Sequence, residues 1–276
     1  DKPAKKEGAT EEAAQPATRG GRGGRGRFGR GGSGEKATVT VLSMQGDTLR
    51  RWKTELDTAF TAIYWGLDTR GVAFPSKEEP DKDQLEPGGG PQVAPGQYKV
   101  VVEFRNGLDS TILTVLDDPR LSIPVTVRQG EAEATRQFYA TVEQAKKAYD
   151  RLLEAEKAIK NVENAFVYVP DSTKKEVLQL GSAIRDSIAN LKELFFTHKE
   201  VKGIQRNPNT LNSHLSSALN YIRNSEGPPN GNAQIAIRKA ETETARILEQ
   251  INALFDTKWI EFKQKAGTVE APLFKE

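Results

Sequence analysis

The amino-acid sequence predicts an α+β chain organised as two separate domains, an antiparallel β-sandwich followed by an antiparallel four-helix bundle. Short apolar runs with period-two alternation fill residues 37–118, the hydrophobic period lengthens to about three and a half after residue 125, and Gly and Pro punctuate the first region far more than the second. The boundaries expected are 1–35 for a low-complexity segment, 36–127 for the sandwich and 128–276 for the bundle. A mean hydropathy of −0.61 over 276 residues fits long helices with wide polar faces joined to a polar tail.

The first segment ends in TRGGRGGRGRFGRGGSG and is predicted to be disordered, because its glycines cost more entropy to order than its apolar surface returns. Residues 1–36 hold nine Lys or Arg against five Asp or Glu, while the rest of the chain holds 31 against 33. Any nucleic-acid binding would therefore come from this segment, with Arg19, Arg22, Arg25, Arg27 and Arg30 contacting phosphates or stacking on bases and Phe28 as the lone aromatic. The competing expectation is a solvated linker or loop insertion. The chain opens at Asp1, which reads as a piece of something longer.

Five strands are expected, at 37–43, 48–56, 58–67, 96–104 and 110–118. In the fourth, Tyr98, Val100, Val102 and Phe104 share one face, and Asn106-Gly107 supplies the residues of a tight hairpin turn. Between Gly71 and Pro95 the sequence is rich in Pro and charge without periodicity, so a mobile loop is expected. Pro95-Gly96 forms a turn that aims Tyr98 inward, and Trp65 is a large anchor for a small core; beside Asp68 the same Trp could instead form a sugar platform.

These β-region residues carry a resemblance. VTVLSMQGDTLRRW with Gly46 and Asp47, YWGLDTRG with Trp65 and Asp68, and VAPGQYKVVVEF with Pro95, Gly96 and Tyr98 resemble the small Ig-like domain of the flagellar hook-capping type. The resemblance implies that the sandwich is Ig-like.

Four amphipathic helices are expected next. The first carries Phe138, Val142, Tyr149, Leu152, Ile159 and Phe166 on one stripe, and the second is N-capped by Asp171 or Ser172. The third runs from after Pro208 to Gly227, and the fourth runs unbroken from about Ala233 to Ala266 with Trp259 in its core stripe. No fixed-period repeat points to a solenoid.

The sequence offers little for catalysis. With no Cys, two His and one Met, thiol chemistry and thiolate metal sites are excluded, and no cofactor is expected. His198 and His214 are expected at the surface or at helix ends, and Glu78, Glu79, Asp81, Asp83 and Glu86 as a solvated charge run without the ligand spacing of a calcium loop. Gly88-Gly89-Gly90 is followed by Pro rather than a helix start, so it is no phosphate loop.

The β-domain, the charged insert and the helices ending in Trp259, Phe262 and then Pro272, Leu273 and Phe274 resemble the carboxy-terminal part of bacterial secreted proteins with sortilin-like or BNR-repeat β-propellers, often labelled glycosyl hydrolases. That resemblance implies a secreted, periplasmic or cell-surface location. It implies a non-catalytic accessory module that contacts an upstream propeller fragment, another envelope protein or a glycan, with any glycosidase activity upstream. It also implies that a first strand of the Ig-like domain precedes residues 1–35. No run of residues is apolar enough to insert into a membrane. RNA binding through the Arg-Gly segment is the alternative function, and a share in a glycoside hydrolase the second.

Overall fold

A computed structural model describes residues 34–57, 60–78, 83–120, 124–196, 209–225 and 227–270. The chain is α+β, with one four-stranded antiparallel sheet followed by helices. The strands are β1 (Lys36–Ser43), β2 (Thr48–Glu55), β3 (Gly96–Phe104) and β4 (Gly107–Val115), in the order β2-β1-β3-β4. β1 is central because its alternation is the cleanest: Ala37, Val39 and Val41 are fully buried. Val39 lies opposite Trp52 on one side and Val102 on the other, and Val41 opposite Arg50 and Val100, so these residues share the inner face.

Four of the five expected strands form. Over its described part, residues 60–67, the other is irregular chain with Phe60 and Tyr64 exposed, and only Asp68 makes an isolated bridge, to Gln92. The described residues therefore hold one sheet, not two layers of strands. The β3–β4 turn is placed one residue earlier than expected: Arg105 and Asn106 make it, Arg105 takes the positive φ of 51°, and Gly107 already belongs to β4. Arg105 is steadied there by a forked interaction with Glu35, at 2.6 and 2.9 Å.

The helices are α1 (Val125–Ala165), α2 (Asp171–Glu193), α3 (Leu211–Arg223), α4 (Gly231–Asp256) and α5 (Lys258–Gly267), with a 3-10 turn at Phe166–Tyr168. α1 is 41 residues long and starts at Val125, directly after Pro124, so the sheet-to-helix boundary falls before residue 128. Its stripe Phe138, Val142, Ala145, Tyr149, Leu152 and Ile159 is buried. Asp171 is the first residue of α2 rather than its cap; that position falls to Pro170. True side-chain caps occur at Thr210, which accepts from Ser213 N, and Asn230, which accepts from Ala233 N.

The expected fourth helix is two helices. The backbone breaks at Thr257 (φ −117°, ψ −90°), whose hydroxyl donates to the Ala253 carbonyl at 2.6 Å. The break turns α5 so that it packs on α2. There Trp259 is half-buried between Phe255 and Phe262, with ring centroids 5.7 and 5.4 Å away. α2 approaches closely at Gly181, where a Cβ would meet Phe262 at 3.2 Å and Ile159 at 3.3 Å.

His214 is not at the surface. It sits in the first turns of α3 on the same stripe as Leu211, Leu215 and Ala218, which is the core face. Burial depresses its pKa below the ordinary 6.5; Lys239 adds to this and Glu243 opposes it. His198 lies outside the described residues.

Two outcomes are expected. Gly181→Val lowers unfolding free energy by about 1–3 kcal/mol, measured in urea, because the methyl groups have no room between Ile159 and Phe262. The neutral imidazole of His214 is favoured in the fold, so stability is complete above pH 6.5 and falls as the pH drops below it toward the lower folded value. His214→Asn flattens that part of the profile of thermal midpoint against pH.

Candidate functional site

The sheet and the helices are joined by the chain between β2 and β3. Its arms, residues 66–72 and 87–93, lie against each other through Thr69 N to Pro91 O (2.8 Å), Gly71 N to Pro87 O (2.9 Å), Gly90 N to Thr69 O (3.2 Å) and Val93 N to Leu67 O (2.8 Å). The approach is so close that a Cβ on Gly71 would collide with the Gly88 carbonyl, and one on Gly90 with the carbonyls of Thr69 and Arg70. This explains the glycines without a phosphate.

The expected mobile loop is tied at both ends in its described residues. Toward the helices, Val72 and Phe74 pack on the helical core, Asn212 Nδ2 donates to Pro75 O at 3.0 Å, and Lys77 stands over Phe196 at 5.2 Å. Tyr139 Oη (3.4 Å) and the Arg223 guanidinium both donate to Gly89 O. Toward the sheet, Arg50 donates to Pro87 O and lies 3.8 Å from Asp68, whose carboxylate accepts from Gly89 N at 2.8 Å. Glu78 is exposed, whereas Asp83 pairs with Lys36 and Lys53, which hold its carboxyl below the usual range, and Glu86 accepts from Arg51 N at 2.8 Å. The charge run is thus partly a clasp along β2. Glu79 and Asp81 lie outside the described residues.

The structure brings together most of the structural residues singled out in the sequence. Trp65 is half-buried, its indole N–H donates to Asp68 O at 2.9 Å, and its ring meets Tyr98 edge-on at 5.6 Å. Tyr98 donates to Ala94 O at 2.5 Å just before Pro95-Gly96 opens β3, and burial raises its pKa. Trp259 is far off in the sequence and belongs to the α5 contact. Arg19, Arg22, Arg25, Arg27, Phe28 and Arg30, with Pro272, Leu273 and Phe274, lie outside the described residues.

Two surfaces remain. A cleft of about 710 Å³ follows the seam, lined by Asp68, Gly89, Arg128, Glu131 and Arg223. Burial raises the Glu131 carboxyl while the Arg223 charge opposes the rise. Neither residue belongs to a sequence motif, and only the fold puts them together. Among the described residues no group of three or more His, Asp or Glu is placed to hold a metal ion, and no helix is long and apolar enough to cross a membrane.

The second surface is the β3–β4 half of the sheet. The connecting chain reaches the inner face at Arg50 of β2 and, through Trp65, at Tyr98 of β3, and farther along β3 and β4 a shallow groove of about 470 Å³ runs beside Val100, Val102, Phe104, Asp109 and Thr111. Leu108, Ile112, Leu113 and Leu116 are exposed along β4. Alternation flagged Val100 to Phe104 as a core face, but no sequence signal says that the core stops there.

Comparison with family models, with curated proteins and with solved structures gives no match.

Trp65→Ala removes the edge-on contact and the N–H to Asp68 and is expected to cost about 2–4 kcal/mol, read from chemical denaturation. Unchanged stability with loss of carbohydrate binding would assign this Trp to a ligand instead.

Proposed function

We propose that this chain is a non-catalytic accessory and assembly module that docks, through the open half of its sheet, onto a β-rich partner, namely the upstream propeller that its resemblance to secreted sortilin-like or BNR-repeat proteins implies. In this reading the four strands are part of an Ig-like sandwich whose other layer comes from outside the described residues. The helices form a four-helix bundle whose last member is broken at Thr257. The setting is secreted or on the cell envelope.

One observation carries the reading. The inner face is fully buried at Val39 and Val41, yet the same face continues into Val100, Val102 and Phe104 with only a groove beside them. Soluble proteins rarely leave a contiguous apolar sheet face uncovered unless another surface sits on it. Docking there needs no reacting group, in keeping with a groove whose β3 side is Val100, Val102 and Phe104 and whose β4 side carries Asp109, Ser110 and Thr111.

The test is binding of the full chain to the propeller polypeptide that precedes it, followed by calorimetry. Val102→Asp is expected to weaken binding by at least about tenfold, since a carboxylate would be buried without a partner. Equal binding by the two proteins, with both melting alike, would reject the face as the docking surface. Binding of single-stranded RNA that vanishes on deleting residues 19–32 would favour the Arg-Gly segment instead.

A further inference from the structure

The two edges of the sheet are treated differently. The outer edge of β2 is covered over its first half: Arg70 N donates to Leu49 O at 2.7 Å, and Glu86 accepts from Arg51 N. Among the described residues no strand pairs with the outer edge of β4. β4, GLDSTILTV, also lacks the usual guards of an edge strand, with no Lys, no Pro and only Asp109 charged.

The register fixes which backbone groups that edge offers. A two-residue turn makes Phe104 and Gly107 the first hydrogen-bonded pair, so by alternation residues 107, 109, 111, 113 and 115 bond to β3. Residues 108, 110, 112 and 114 then turn their N–H and C=O groups outward. Their side chains, with that of Leu116 just beyond β4, follow the outer face, opposite to the one with the groove. Read along that face the sequence is Leu108, Ser110, Ile112, Thr114, Leu116, which is symmetric about Ile112. Leu108, Ile112 and Leu116 are 70%, 58% and 81% exposed.

We infer that β4 pairs antiparallel with β4 of a second copy of this chain about a twofold axis at Ile112. In that register Ile112 faces Ile112 of the partner subunit, Leu108 faces Leu116 of the partner subunit, and Ser110 faces Thr114 of the partner subunit. Apolar residues meet apolar ones and hydroxyls meet hydroxyls. Asp109 falls opposite Val115 of the partner subunit, so no like charges are opposed. A twofold register about Thr111 sets Asp109 against Leu113 and loses the apolar pairs, and one about Ser110 or Thr114 keeps Leu108 or Leu116 against Ile112 but loses the central Ile112 pair.

The strand is about 30 Å long at 3.3 Å per residue, and an edge pair of that length lies below the roughly 1,200 Å² of a standard interface. The dimer is therefore of the weak, reversible class. This inference concerns the edge and the outer face, so it stands or falls separately from docking on the inner face.

The experiment uses the full chain. Sedimentation velocity at rising concentration is expected to show a monomer–dimer equilibrium, with Ile112→Lys raising the dissociation constant by at least about tenfold at an unchanged thermal midpoint. The absence of Cys makes a second measurement clean. Ile112→Cys is expected to oxidise to a covalent dimer several-fold faster than Thr111→Cys, whose thiols are offset across the axis. A protein that stays monomeric at high micromolar concentration, a dimer that survives Ile112→Lys, or cross-linking at least as fast through Thr111→Cys overturns the inference.

Discussion

The contact between the backbone of residues 69–71 and that of residues 87–90 is the constraint on which this architecture rests. Two chain segments can come this close only where no Cβ intervenes, and Gly71 and Gly90 stand where one would collide with a carbonyl. Once the two arms are zipped, Gly89 presents its N–H to Asp68 and its carbonyl to Tyr139 and Arg223. One peptide segment thus receives a strand-side carboxylate and helix-side donors together. Sheet and helices share few direct contacts, so their relative placement depends on this segment and on the Phe74 anchor rather than on a broad interface.

The same segment explains why the sheet is finished on one side. It accepts from Arg50, sets the Trp65 ring against Tyr98, and lays Asp83 and Glu86 along the β2 edge. On β3 it meets only the first residues, at Tyr98, among the described contacts. The hairpin of β3 and β4 projects past it, held to the rest by the β1 ladder and by the Arg105–Glu35 pair at its tip. A hairpin that, among the described residues, is paired on one side only has less to hold it than the interior strands, which concentrates both the groove and the unguarded edge in the same few residues.

Much of the fold was legible in the sequence because alternation and helical stripes are local. Val39, Val41 and the Tyr98 to Phe104 run announced their strands, and Phe138 to Ile159 announced α1. The expectation of a strand at 58–67 failed where aromatic content, Phe60, Tyr64 and Trp65, imitated β propensity without giving alternation a partner to pair with. The break at Thr257 was hidden because Trp259 and Phe262 keep the helical spacing across it. His214 falls near the start of α3, one of the two places expected for it, but its burial was missed because residue type outweighed its position on the α3 stripe. The seam was illegible for a different reason: Asp68, Gly89, Glu131 and Arg223 are distant in sequence, and a loop rich in Pro and charge looks unstructured until its few apolar residues find the helices.

The asymmetry of the sheet limits what any assembly can become. A sheet with two bare edges can recruit copies without end and grow as a fibre. Here the chain's own Glu86 and Arg70 occupy the β2 margin at Arg51 and Leu49, so the proposed twofold union joins the two copies through β4 and leaves, among the described residues, only the far half of β2 open. In that union the partial covering of β2 works as a brake on further growth, turning an adhesive strand from an aggregation hazard toward a device that counts to two.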